Sequence, residues 1–246
     1  MRVRVLSDEK AVARAVARRV EQEIRQRPAT VLGLPTGRTP IRLYRLLREA
    51  HLAGRLDFSS VSTFNLDEFY GLPADHPGSY RTFMETHLFA HVNLNRRRIH
   101  FLDGTAKDAD AECRRYERAI AKAGGIDLML LGIGANGHIG FNEPAASLSA
   151  DTHKARLEPG TRRANADLFG GRVRAVPRDA LSMGVGTILR SRAIVLIATG
   201  PGKAEAIAGA LEGPVTTRLP ASLLQLHPRV EVYLDRAAAS RLKKTR

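Results

Sequence analysis

The sequence predicts an α/β protein: one domain built on a doubly wound, mostly parallel sheet with helices on both faces. Three observations predict it. Short β-branched or aliphatic runs alternate with amphipathic windows along the chain. Runs such as LMLLGIG and IVLIA are apolar throughout rather than alternating, as central strands buried on both sides must be. The chain has 246 residues, 43% of them hydrophobic, with no repeat, low-complexity tract or linker. That length suits one large core, so residues 1–246 are expected to form a single Rossmann-like domain.

Taken in order, VRVL opens the sheet and a helix follows over about residues 7 to 27; ATVLGL is the next strand, followed by a helix from about 39 to 55. VSTFNL, IDLMLLGIG, AIVLIATG and VEVYLD are the later strands. Between them DAECRRYERA reads as a polar helix with Cys113 half-buried; a single cysteine forms no internal disulfide, and no C-x-x-C is present. The N-terminus MRVRVLSDEK lacks an apolar signal region, and no window approaches 18 consecutive apolar residues. The expectation is a soluble, cytoplasmic protein with no membrane contact.

Lys and Arg number 39 against 25 Asp and Glu, a net charge of +14. Such a balance fits nucleic acid, a membrane surface or an attraction for anionic metabolites. The arginines, however, are spread along helices and mixed with acids, and the chain has eight Phe, five Tyr and no Trp with which to stack bases. Solvated basic faces are the expectation, with a weak electrostatic patch left to the tail SRLKKTR.

In open parallel sheets ligands bind beyond the carboxyl ends of the strands, where the strand order reverses. Four strand-to-helix loops therefore carry the chemistry. LGLPTGRTP places Thr36, Gly37, Arg38 and Thr39 at a helix N-terminus, where backbone N–H groups and the helix dipole attract anions; a plain capped turn is the alternative. ATGPGKAEA repeats the arrangement with Lys203, which suggests a phosphate held between the two loops. FNLDEFYGLP ends a strand with Asp67 and Glu68. Such a pair is either a helix cap or turn, or a partly desolvated carboxylate raised towards the range of a general base. LGIGANGHIGFNEP sets His138 among glycines, with Asn136 and Glu143 as the partners available to fix its tautomer; a structural histidine is the alternative. No second His or Cys lies at metal-ligand spacing.

These stretches, with TRRANADLF, VPRDALSMGVGTIL and ASLLQLHP, resemble in order and spacing the glucosamine-6-phosphate deaminase (isomerase) family, over nearly the whole chain. The 6-phosphogluconolactonases share the glycine-rich loop and the G-H-I step but generally lack F-N-E-P. The resemblance implies hydrolytic conversion of D-glucosamine 6-phosphate to D-fructose 6-phosphate and ammonia, in amino-sugar catabolism, with no cofactor and no metal. It implies that Asp67 moves a proton from C2 of the opened sugar to C1, that His138 assists ring opening, and that Glu143 orients His138. Asn136 belongs to the same catalytic group, and Thr36, Gly37, Arg38, Thr39 and Lys203 hold the phosphate. The implied partner is an amino sugar phosphate. A homo-oligomer is compatible with the family, and nucleic acid is not expected.

Three positions depart from the family pattern. Asn136 stands where many members have aspartate. Asp167 stands where members commonly place a phosphate-binding arginine, and Arg38, with Arg163, is expected to supply the missing charge. His153 and Ala155 stand where allosterically controlled members carry a basic pair, so control by N-acetylglucosamine 6-phosphate is not expected. Two rivals remain open at this stage: a lactonase on the same fold, and a non-catalytic sugar-phosphate sensor.

Overall fold

A computed structural model of the chain describes residues 1–243. The end of the basic tail, residues 244–246, lies outside the described residues. The elements run β1 (Arg2–Leu6), α1 (Glu9–Gln26), β2 (Val31–Leu34), α2 (Arg38–Leu52), β3 (Ser62–Asn65), β4 (Asp67–Phe69) and α3 (Tyr80–His87). They continue β5 (Ile99–His100), α4 (Ala109–Lys122), β6 (Leu128–Leu131), β7 (His153–Arg156), α5 (Pro159–Ala164) and β8 (Asp179–Ser182). The chain closes with α6 (Val185–Leu189), β9 (Ala193–Ala198), α7 (Ala204–Glu212) and β10 (Val230–Asp235). No helix among the described residues is long and apolar enough to cross a membrane.

Seven strands form one parallel sheet in the order β1-β10-β9-β6-β2-β3-β5. From β2 the chain builds outward through β3 and β5, then returns to lay β6, β9 and β10 on the other side. The order therefore reverses between β2 and β6, whose pairing sets Leu32 against Leu128. A crevice opens at such a reversal because the two following loops leave in opposite directions.

Strand side chains alternate between two cores, which is why the central runs are apolar at every position. On one face Leu32, Leu128, Leu130, Val195 and Ile197 meet the apolar stripes of α1, α2 and α3. On the other, Met129, Leu131, Ile194 and Leu196 meet α4, α6 and α7. The expected doubly wound sheet is thus present. Helix α1 starts at Glu9 rather than residue 7 because the Asp8 side chain caps it, accepting a hydrogen bond from the Ala11 N–H at 2.8 Å.

A second, three-stranded antiparallel sheet, β4-β8-β7, is not predicted by the sequence. Its strands DEF, DALS and HKAR are three or four residues long and neither apolar nor regularly alternating. It encloses a third core around Phe69, Phe141, Phe169 and Ala180. Cys113 is also corrected: it is 4% exposed and packs in the α4 core rather than lying half-buried.

Candidate active site

The loops after β2 and β6 face each other across the reversal, over a cavity of about 1180 Å³. Thr36, Gly37, Arg38 and Thr39 line it from the first loop, Asn136 and His138 from the second. Asp67 closes its floor and Lys203 reaches it from the loop after β9. Three loops and the start of β4, distant in sequence, therefore converge on one space.

His138 is held between a backbone and a carboxylate. Its Nδ1 lies 3.1 Å from Glu143 Oε2. An ionised carboxylate only accepts, so this contact puts the imidazole proton on Nδ1 and leaves Nε2 as the nitrogen able to take one up. Glu143 stays ionised. Burial raises its pKa, but the His138 contact and hydrogen bonds from Thr161 and Asn136 outweigh that and bring it to about 2. The ring lies so close over Gly134 that a Cβ built there falls 2.5 Å from two ring atoms, so a side chain at 134 would displace the imidazole. Of the two partners the sequence offers for the imidazole, Glu143 makes the ring contact, and the Asn136 side chain bonds elsewhere. Its Nδ2 donates to Glu143 Oε2 at 2.8 Å, and its Oδ1 accepts from the His138 backbone N–H at 3.3 Å. The amide can donate to Glu143 as an aspartate could not, and acts on His138 through it.

Asp67 and Glu68 do not end β3, as the sequence suggested, but form part of β4. Adjacent strand residues point to opposite faces, so the two acids face different surroundings. Glu68 is a helix cap: its carboxylate accepts from the backbone N–H groups of Phe69, Tyr80 and Arg81, each at 2.9 Å, and so anchors the start of α3. Asp67 faces the cavity and is 7% exposed. Burial first, then the neighbouring Glu68 charge, push its carboxyl up to about 8. Glu68 is itself raised by burial to about 7, against the three N–H donors that pull it down.

Gly37 caps α2 with φ of +97°, a backbone that only glycine adopts without strain, and the first residues of the helix line the cavity with no side-chain cap on its N–H groups. Arg38 and Lys203 share this end. Burial, then the Arg38 charge, hold the Lys203 ammonium below its ordinary range, so a bound anion there would relieve the repulsion between them.

The family profile described as glucosamine-6-phosphate isomerases/6-phosphogluconolactonase matches residues 7–233. A glucosamine-6-phosphate deaminase of Thermoanaerobacter pseudethanolicus is 46% identical over 240 residues, covering 98% of this chain and 94% of that protein. The chain belongs to this family. Glucosamine-6-phosphate deaminase 2 of Bacillus subtilis is 49% identical over 225 residues, covering 91% of this chain and 90% of that one. Among solved structures, a monomeric glucosamine-6-phosphate deaminase superposes with a TM-score of 0.95 at 43% identity, covering 98% of this chain and 100% of that one. A 6-phosphogluconolactonase from Trypanosoma cruzi shares the fold, with a TM-score of 0.79 at 20% identity, covering 99% and 97%.

The glucosamine-6-phosphate isomerase/6-phosphogluconolactonase fold also brings in residues that sequence reasoning missed. Thr161, at the start of α5, donates through its hydroxyl to Glu143 Oε1. Tyr80 lines the cavity and donates to Asn165 Oδ1 at 3.0 Å, tying α3 to the end of α5. Thr161 opens the TRRANADLF stretch and Tyr80 follows FNLDEFYGLP by a short loop, but a lone Thr or Tyr at a helix start has no signature of its own. Asp167, on the turn after α5, lines the cavity as well. Arg163 is exposed and is not among the residues lining the cavity, so the expectation that it assists Arg38 is corrected.

Proposed function

We propose that the protein converts D-glucosamine 6-phosphate and water to D-fructose 6-phosphate and ammonia. What carries the reading is one arrangement: a buried carboxyl and an oriented imidazole line the same cavity as two cations and a helix N-terminus. The phosphate fits the Thr36–Thr39 loop with Arg38 and Lys203. This directs the sugar ring towards His138 and Asp67.

Chemistry then follows from the groups present. His138 Nε2 exchanges a proton with the ring oxygen or the C1 hydroxyl as the C1–O5 bond breaks, and Glu143 stabilises the charged imidazole. Asp67, ionised, removes the C2 proton of the open-chain amino aldehyde and returns it to C1, turning the aldose amine into a ketimine. Water adds at C2 and the C2–N bond breaks, releasing ammonia and leaving the ketone. Asn136 and Thr161 act through Glu143. All the residues assigned come from one chain, so the reading needs no second copy. Residues 1–246 are read as one catalytic unit, and amino-sugar catabolism in the cytoplasm is the setting it implies.

A lactonase would use His138 and the cations but leaves Asp67 without a task. The discriminating assay offers glucosamine 6-phosphate and a 6-phosphogluconolactone side by side: turnover of the amino sugar supports the proposal, and hydrolysis of the lactone alone refutes it.

Arg38 tests the phosphate end. A hydrogen bond to a charged group contributes about 1.5–3 kcal/mol, so Arg38→Ala is expected to raise KM for glucosamine 6-phosphate about 10- to 100-fold with kcat little changed. Steady-state kinetics checks this. An unchanged KM would mean that Arg38 does not replace the cation missing at Asp167.

A further inference from the structure

The basic helices left unexplained by the sequence acquire a use in three dimensions. A second, smaller cavity of about 320 Å³ lies between α1 and α2, lined by Lys10, Arg14, Arg42, Arg45 and Leu46. Four of its five lining residues are cations. Arg42 and Arg45 also line the catalytic cavity, so the two spaces are neighbours that share these side chains. Along α2 the spacing Arg38, Arg42, Arg45 is i, i+4, i+7, which sets all three on one helix face; Lys10 and Arg14, one turn apart on α1, face them. The row of cations thus leads from the proposed phosphate site to the outer groove, with Glu9 beside Arg42.

The charge is only partly compensated. Glu9 pairs with Arg42 at 3.0 Å, and Glu49 with Arg45 at 3.5 Å. No salt bridge among the described residues reaches Lys10 or Arg14, although Asp8 feels the Arg14 charge. A groove of one sign with low-dielectric walls concentrates field lines and raises the local concentration of counter-ions. Guanidinium groups also recognise phosphate by paired hydrogen bonds, which a lysine-only patch does not provide.

We infer that this groove is a second phosphate site, which takes the phosphate group of a small phosphorylated molecule at the mouth of the catalytic cavity. The inference rests on the proposed function only for whether that molecule is the substrate on its way in or a separate phosphorylated metabolite.

Inorganic phosphate is the probe. Calorimetric titration of the whole protein is expected to find two sites per chain, and one in Lys10→Ala/Arg14→Ala, whose side chains are exposed and whose loss leaves the fold intact. Arg38→Ala/Lys203→Ala is expected to retain the groove site. This reading stands whether or not the chain turns over glucosamine 6-phosphate. Equal phosphate binding in the wild type and Lys10→Ala/Arg14→Ala would overturn the inference. The two sources are then separated by kinetics at low ionic strength. If the substrate uses the groove, kcat/KM of the Lys10→Ala/Arg14→Ala variant falls about tenfold and recovers in high salt. If a separate metabolite uses it, kcat/KM is unchanged while the phosphate site is lost.

Discussion

Asp67→Asn is expected to lower kcat by about 10²–10⁴-fold, the usual contribution of a positioned general base, with KM for glucosamine 6-phosphate little changed. The amide keeps the shape of the side chain but cannot take the C2 proton, so an interaction made only in the transition state is lost. The same residue sets the pH dependence. Asp67 must be ionised to act, and burial has pushed it up to about 8, so wild-type kcat/KM should rise with pH through that range. The stability effect has the opposite sign. The folded state holds the Asp67 proton to higher pH than the unfolded chain, so this group's contribution is greatest below its ordinary range near 4 and is lost as pH rises through about 8. The Asn variant lacks that loss. Thermal melts at pH 9 should find it more stable than the wild type, the reverse of the activity order. A wild-type rate flat between pH 6 and 9 would contradict the assignment.

Replacing His138 by Gln is expected to cost about 10²-fold in kcat, at the lower end of acid–base contributions because ring opening has some uncatalysed background. The loss should be confined to the closed-ring substrate. Glu143→Gln removes the carboxylate that accepts from His138 Nδ1, and should lower kcat for the closed-ring substrate in the same way. Comparing closed-ring and open-chain substrate in both variants separates a catalytic imidazole from a structural one, because a loss of packing alone would lower both rates. Activity in His138→Gln equal to the wild type would remove His138 from the mechanism.

The centre of the parallel sheet was legible because LMLL and AIVLIA are apolar runs buried on both sides, whereas the two-residue edge strand β5 carries no pattern to read. The small sheet was not legible. Asp67–Phe69 and His153–Arg156 pair through their backbones, and three or four polar residues have no period to read. At the site, Thr36–Thr39 and Lys203 could be found because glycines punctuate strand-to-helix turns. Asp67 could be found as one of an acidic pair, but which acid faced the cavity was decided by the strand's alternation once β4 existed. Asn136 and Glu143 were both legible as partners for His138, but only the fold shows that the Asn136 amide donates to Glu143 while Glu143 meets the ring. Thr161 and Tyr80 depend on where α5 and α3 dock, which local sequence does not encode. The basic groove was present in the sequence only as net charge, because its two rows of cations lie on separate helices that meet only in the fold.

The central claim is that a phosphorylated amino sugar is deaminated by the Asp67 carboxylate in this cavity. The most direct measurement follows ammonia and fructose 6-phosphate together from glucosamine 6-phosphate, beside unphosphorylated glucosamine and with Asp67→Asn in parallel. Equal release of both products from the phosphorylated sugar, absent in the variant and negligible with glucosamine, is the predicted result. Equal turnover by Asp67→Asn, or no ammonia from glucosamine 6-phosphate, would contradict it.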